Sequence, residues 1–188
     1  EFEFDLDDKA IGVILAGLVG AAPTSTGSYT HTYALQNTNQ HQSLSLLVQD
    51  PNVAKMFRLS MIDKFTIKVD PESVVKCTVG FRSAGGQDWA LTSAVYTALG
   101  NKFLHTMLAF KIAANIAGIA AASVLNLKNL ELTISKNVED HQDLGTATPS
   151  DILNKQFQVE GSFEISMSDN TYRNYMIAGS TKAIEIML

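Results

Sequence analysis

Cysteine is nearly absent. Cys77 is the only one, so no intrachain disulfide can form, and the lone thiol is expected as a small buried apolar group, consistent with assembly in a reducing compartment. Proline is scarce too, with four residues in 188, which leaves most of the chain free to enter regular structure. Charged residues make up 18% against 46% hydrophobic, a balance that excludes a disordered chain and suits one folded domain. Basic residues are outnumbered 14 to 19, for a net charge of −5. A protein that grips nucleic acid must neutralise phosphates with a cationic surface, and this chain lacks that surface on average. A weakly charged or repelling channel wall is compatible with it.

Long uninterrupted apolar runs are also missing. Ala10 to Ala22 has the length of a signal-peptide core, but Glu1, Glu3, Asp5, Asp7 and Asp8 stand before it, where a signal peptide carries positive charge. It is too short to cross a bilayer. Phe103 to Leu125 is long enough but holds His105, Lys111 and Asn115, and a charge at mid-bilayer costs about 2.5–3.5 kcal/mol on insertion scales. Neither segment is read as membrane-spanning, and no membrane partner is expected.

What the sequence does contain is alternation. Phe2, Phe4 and Leu6 fall on one face of a short strand. Asp7 or Asp8 is placed to cap a helix running to about Val19 and ended by Gly20, with Ile11, Ile14, Leu15 and Leu18 on its apolar face. Residues 23–42 are polar with few charges and read as an extended arm or hairpin, given the strand propensity of Tyr29, Thr30, Thr32 and Tyr33. Ser43–Gln49 reads as a strand before a turn at Asp50-Pro51-Asn52. Phe65, Ile67 and Val69 alternate with polar residues, turn at Asp70–Ser73 and return as Val74–Arg82. Phe103–Ala113 has period two and is expected as a strand. Ala114–Ser123 is small and Ala-rich, a short helix or a close-packed loop.

A second unit repeats the pattern. Leu130, Leu132 and Ile134 alternate with Glu131, Thr133 and Ser135, and Phe157 to Met167 alternates with Gln158, Glu160, Ser162, Glu164 and Ser166. Between them Thr148-Pro149-Ser150-Asp151 carries a helix-start signature. A short helix is expected over Asp169–Ile177, begun by Ser168 or Asp169 and closed near Gly179, before a terminal strand over Thr181–Leu188. The likeness of the two units predicts two packed sheets built from related hairpins. The fold class is therefore mainly β: a β-sandwich with one flanking helix and short extra helices.

No catalytic constellation is present. The chain has no nucleophile elbow, phosphate loop, dinucleotide fingerprint or H-E-x-x-H motif. His31, His41, His105 and His141 lack metal-ligand spacing. Glu139 to Asp143 is dense in polar groups but lacks the ligand pattern and glycine of a calcium loop, so it reads as a solvated loop. No enzyme activity, metal or cofactor is expected. Trp89 is either a packing anchor or an interface residue, where tryptophan is enriched. The polar strand faces are more informative. They meet solvent in an ordinary sheet. In a ring whose sheets join side by side they would line a lumen, made acidic by Glu131, Glu160 and Glu164.

The ordered set of Lys111–Asn137, Asp151–Ser166 and Asp169–Met176, with T-H-T-Y (Thr30–Tyr33) and S-L-S-L (Ser43–Leu46) ahead of it, resembles the tail tube proteins of tailed phages. The resemblance covers nearly the whole chain, 1–188, as one domain. It implies subunits that form hexameric rings, with sheets joined into an inner barrel and rings stacked into a tube that carries DNA. The partners it implies are further copies of the chain and other tail proteins (tape measure, tail tip, terminator), with DNA passing unbound. The place is the virion tail, after assembly in the host cytoplasm. It also implies further sequence ahead of Glu1. The arm at 23–42 is expected to reach a neighbouring subunit through Tyr29, His31 and Tyr33, with Trp89 as a further candidate contact. Two alternatives stay open: another ring protein of a phage tail or contractile injection system, such as a contractile-tail tube or terminator, and a monomeric ligand-binding β-barrel.

Overall fold

A computed structural model describes residues 1–27, 30–37, 40–93, 100–166 and 170–188. Among these, the elements in chain order are β1 (Phe2–Asp5), α1 (Ala10–Val19), β2 (Thr24–Thr26), β3 (Thr30–Thr32), β4 (Leu44–Gln49), β5 (Ala54–Val69), β6 (Lys76–Arg82), β7 (Gly86–Trp89), β8 (Ala109–Ala113), β9 (Val124–Leu125), β10 (Leu127–Ser135), β11 (Glu139–His141), β12 (Asp151–Leu153), β13 (Gln158–Ile165), α2 (Thr171–Ala178) and β14 (Ala183–Met187). The protein is mainly β, with several antiparallel sheets and few helices, and its main sheet does not close on itself into a barrel.

The main sheet runs β1-β6-β5-β10-β13, with every neighbour antiparallel. Strand β5 has 16 residues, roughly 50 Å at about 3.3 Å per residue. Its second half belongs to the main sheet, while its first half pairs with β4 and β7. The halves meet where Leu59 takes left-handed backbone (φ 50°) and the β5–β6 register shifts between Ile62 and Lys64. Such irregularities bend a strand. The sequence pattern marks only Phe65–Val69 because the bend breaks the alternation: Ser60, Met61 and Ile62 are all buried in succession.

One face of the main sheet is apolar. Phe65, Val69, Cys77, Val79 and Leu130 are buried there with Leu6, Leu18 and Phe110. The opposing layer is a smaller sheet, β14-β8-β9, with α1 beside it. Phe110 of β8 meets Phe163 of β13 at 4.8 Å between ring centroids, a separation at which aromatic pairs add to simple burial. This two-layer plan matches the expected sandwich, but the hairpins are arranged differently. The pairs β5/β6 and β10/β13 lie side by side in one sheet, joined by the β5–β10 ladder from Val69↔Leu130 to Lys64↔Ser135. They do not face one another. Equal period-two patterns identify the strands but carry no information on which strands pair.

Helix α1 begins and ends as its sequence predicts. The Asp7 carboxylate accepts from the Lys9 and Ala10 amides at 2.9 and 2.8 Å, satisfying free N–H groups of the first turn. Gly20 closes it in the left-handed conformation (φ 79°). Three expectations need correction. Strand β8 starts only at Ala109, because a 3₁₀ turn occupies His105–Met107. Thr148–Asp151 starts no helix; Asp151–Leu153 pairs instead with Glu139–His141, so part of the expected solvated loop is an exposed hairpin strand. Ile152, buried to 1% exposure, anchors that pairing, a tertiary contact that outweighs the local start signal. The Ala-rich stretch, expected as a short helix or a close-packed loop, needs no correction: it is a short 3₁₀ helix over Ile116–Ala121, capped by Asn115, whose side chain accepts from Gly118 N–H. Helix α2 is present and closed by Gly179; Met167 and the expected caps Ser168 and Asp169 lie outside the described residues.

Candidate functional site

The register fixes which side chains share the polar face of the main sheet. Glu131 lies between Lys68 of β5 and Ser162 of β13, Thr133 between Thr66 and Glu160, and Ser135 between Lys64 and Gln158. Lys68 in turn opposes Lys76, whose other neighbour is Asp5 of β1. Because directly opposed residues point to the same side, one face carries Glu131, Glu160 and Glu164 together with Lys64, Lys68 and Lys76. The three glutamates do share a face. That face is charge-mixed where the alternation of β10 and β13 alone predicts an acidic one. The lysines come from strands that only the fold brings alongside.

Local pairs hold these groups in place. The Thr66 and Thr133 hydroxyls meet at 3.0 Å. Glu164 accepts from Lys128 Nζ and Asn129 Nδ2, each at 3.1 Å. Gln158 Nε2 donates to Glu160 at 2.6 Å. Lys68 pairs with Asp70 at 3.0 Å and Lys76 with Glu3 at 3.3 Å. The Asp70 hydrogen bond, with smaller help from the Glu131 charge, raises the Lys68 pKa, so the ammonium stays charged at neutral pH. At the β1 edge the Lys102 ammonium holds the Asp5 carboxyl below its ordinary range. These pairs are exposed and individually weak. Together they give a face of mixed charge, with lysines on β5 and β6 beside glutamates on β10 and β13.

The sheet's two edges are bare among the described residues. Strand β13 pairs only with β10, and β1 only with β6. Every residue of β13 except Ile165 is exposed. That includes Val159, 56% exposed, whose partner Ile134 faces the core side. An edge strand exposed on both faces is a template for pairing with another chain.

The expected contact residues do not gather in one place. His31 stands on the small β2/β3 hairpin, where its ring nitrogen bonds Ser25 Oγ at 3.0 Å. Tyr33 is half-buried and turns inward; a methyl group at Gly12 of α1 would lie 3.0 Å from its hydroxyl. Trp89, 43% exposed, ends β7 opposite Ala54. Tyr29 lies outside the described residues. The polar arm thus divides into the paired strands β2 and β3 and a stretch tied back to the body. Gln36 N–H donates to Val19 C=O, the ring of buried His41 bonds Gln36 C=O at 2.8 Å, and the His41 amide donates to Asn154 Oδ1 at 2.9 Å.

Sequence patterns did not reveal two apolar surfaces. One is a groove between α2, β13 and β14. The other is a hollow under β1 and β6, closed by Leu46–Val48 of β4 and Ile14 of α1. The T-Y-R-N-Y-M-I-A run of α2 was the available signal for the first. Among the described residues no group of three or more histidine, cysteine or carboxylate side chains could hold a metal, and no helix is long and apolar enough to cross a membrane.

Fold and surface together describe a mainly β protein whose notable features are sheet edges and faces. The chain belongs to the phage tail tube protein family, whose model matches it over residues 1–188. It is a structural tail tube protein, a component of the virion tail. No curated protein matches the chain.

Proposed function

We propose that copies of this chain join edge to edge into rings, six to a ring as the resemblance implies, and that the rings stack into a tube through which DNA passes. The observation that carries this is the main sheet itself: five strands, one polar face, one buried face, and a bare edge on either side. Joining such edges continues the sheet from copy to copy, and closing the ring removes the aggregation hazard of a free edge. The polar face then lines the channel. Glu131, Glu160 and Glu164 on β10 and β13 form an acidic band beside the basic band of Lys64, Lys68 and Lys76 on β5 and β6, so a phosphate backbone meets repulsion as well as attraction and slides without specific binding. The tube meets other tail proteins, including a tape measure, a tail tip and a terminator, and is assembled in the host cytoplasm. No catalytic step is part of this role.

The β2/β3 hairpin is assigned to contacts between stacked rings, with His31 exposed on it. Replacing residues 25–31 by two glycines is expected to leave a folded subunit, since the tie from Gln36 to His41 stays, and to prevent stacking. Negative-stain electron microscopy across a concentration series tests both statements. Hollow tubes are expected from the wild type, and single rings or subunits from the hairpin variant. Tubes of ordinary length from the variant would remove the hairpin from the stacking contact. Compact monomers alone from concentrated wild type, even beside a tail-tip complex, would contradict the tube.

A further inference from the structure

Helix α2 is an unusual element for a subunit surface. None of its described residues is buried. Met176 is 81% and Ile177 70% exposed, a cost in water of apolar area that a lone domain gains nothing by bearing. The helix is nonetheless held in shape: Tyr172 and Tyr175 meet edge to face at 5.9 Å, and Lys182 Nζ sits 3.9 Å over the Tyr175 ring. It stands at the β13 edge, where Phe163 and Ile165 line the groove below it. At the opposite edge of the same sheet lies the hollow of Phe2, Phe4, Phe81, Leu46, Leu47 and Val48. One edge therefore offers a projecting apolar knob and the other an apolar recess.

The charges around the two surfaces are complementary. The α2 groove is lined by Arg173 and Lys182 and by no acid among the described residues. The recess and its continuation toward Phe57 are lined by Glu1 and, among the described residues, by no base. Opposite charges at the rims favour the correct encounter over others.

We infer that Met176 and Ile177 of α2 dock into the Phe2/Leu47/Phe81 recess of a second copy of this chain. The inference rests on the ring reading above and specifies its contact. Two different, mutually complementary patches on one chain make a head-to-tail contact, the kind that builds closed rings or open filaments and not isolated pairs. The sheet geometry is compatible with it. Phe2 shares a cross-strand row with Val79, Phe65, Ile134 and Val159, whereas the α2 groove begins at Phe163. The two patches are thus offset by four residues along the strands, about 13 Å at ~3.3 Å each, and closing a sheet into a barrel requires a stagger because its strands are tilted.

Two variants test this by sedimentation velocity. Met176→Glu/Ile177→Glu removes the knob and Leu47→Glu/Val48→Glu blocks the recess; all four positions are exposed in the subunit, and circular dichroism checks that each variant is folded. Wild type is expected to assemble, and each variant to need at least about tenfold higher concentration, as for loss of a buried apolar anchor. Mixed one to one, the variants retain a single good contact per pair and should form a heterodimer that grows no further. Ile177→Cys combined with Leu47→Cys should give a disulfide ladder on oxidation, while either change alone should give none. Wild-type assembly unchanged by both variants would overturn this contact and leave the ring reading standing. A wild type that stays monomeric when concentrated, even beside a tail-tip complex, would overturn both.

Discussion

At the scale of single residues, Lys136 is the side chain whose role the sequence least suggests. It follows β10 with 1% exposure, and its ammonium donates to Gly17 C=O at 3.1 Å. Gly17 lies in the last turn of α1, where carbonyls lack helical partners and a positive charge is favoured. Burial nevertheless pulls its pKa down to about 8. A lysine that is easier to deprotonate in the folded than in the unfolded state adds stability as pH rises from the folded value toward the unfolded one. Lys136→Met lacks this gain, so the stability of wild type relative to the variant should increase by about 1 kcal/mol between pH 8 and 9. Urea unfolding at the two pH values measures it, and a constant difference would mean that Lys136 is not held out of water. Cys77 is the opposite case. Burial raises its thiol to about 12, so folded protein at pH 8 should react with a thiol reagent only on the timescale of unfolding; immediate labelling would contradict its burial. Its inert role was legible from its isolation in the sequence. That of Lys136 was not, because nothing local records that α1 will end above it.

At the scale of elements, local chemistry predicted best where the signal and the structure lie in the same few residues. The Asp7 cap and the Gly20 stop of α1 are of this kind. Gly20→Ala should cost at least about 2 kcal/mol, since φ 79° strains any side chain and a methyl group there would lie 2.3 Å from the His41 ring. A chemical melt reads this directly, and a loss below 0.5 kcal/mol, at about the level of a surface substitution, would show that the turn relaxes freely. Strands were legible by alternation where one face meets the core, as in β10; β13 alternates too, although both of its faces are exposed in the subunit. The first half of β5 was missed because it is buried across its bend, and β12 because Ile152 is drawn into a tertiary cluster with Met61 and Val138. The glutamates of the polar face could be grouped from β10 and β13 alone. Lys64, Lys68 and Lys76 could not be added to them, since strand order is set by long-range pairing.

At the scale of the whole molecule, the features that remain unexplained by a lone subunit are all at its margins: the β1 and β13 edges, bare among the described residues, the exposed β2/β3 hairpin, and the apolar knob and recess. In the proposed ring, further copies of the chain complete this sheet. Membership of the tail tube family gives the chain its place in the virion tail; in the proposed ring the margins are where copies meet, and the mixed-charge face is what a passing polyanion encounters. Salt offers a check on the last point. DNA retained by assembled tubes should be negligible even at low ionic strength, whereas retention that falls steeply with salt would reveal a cationic wall. The most direct measurement is electron cryomicroscopy of assembled tubes at a resolution that traces strands. The inner wall is predicted to be the β1-β6-β5-β10-β13 sheet, with Glu131, Glu160 and Lys68 facing the channel and β13 of one copy beside β1 of the next. A channel lined by another surface, or subunits joined away from these edges, would contradict it.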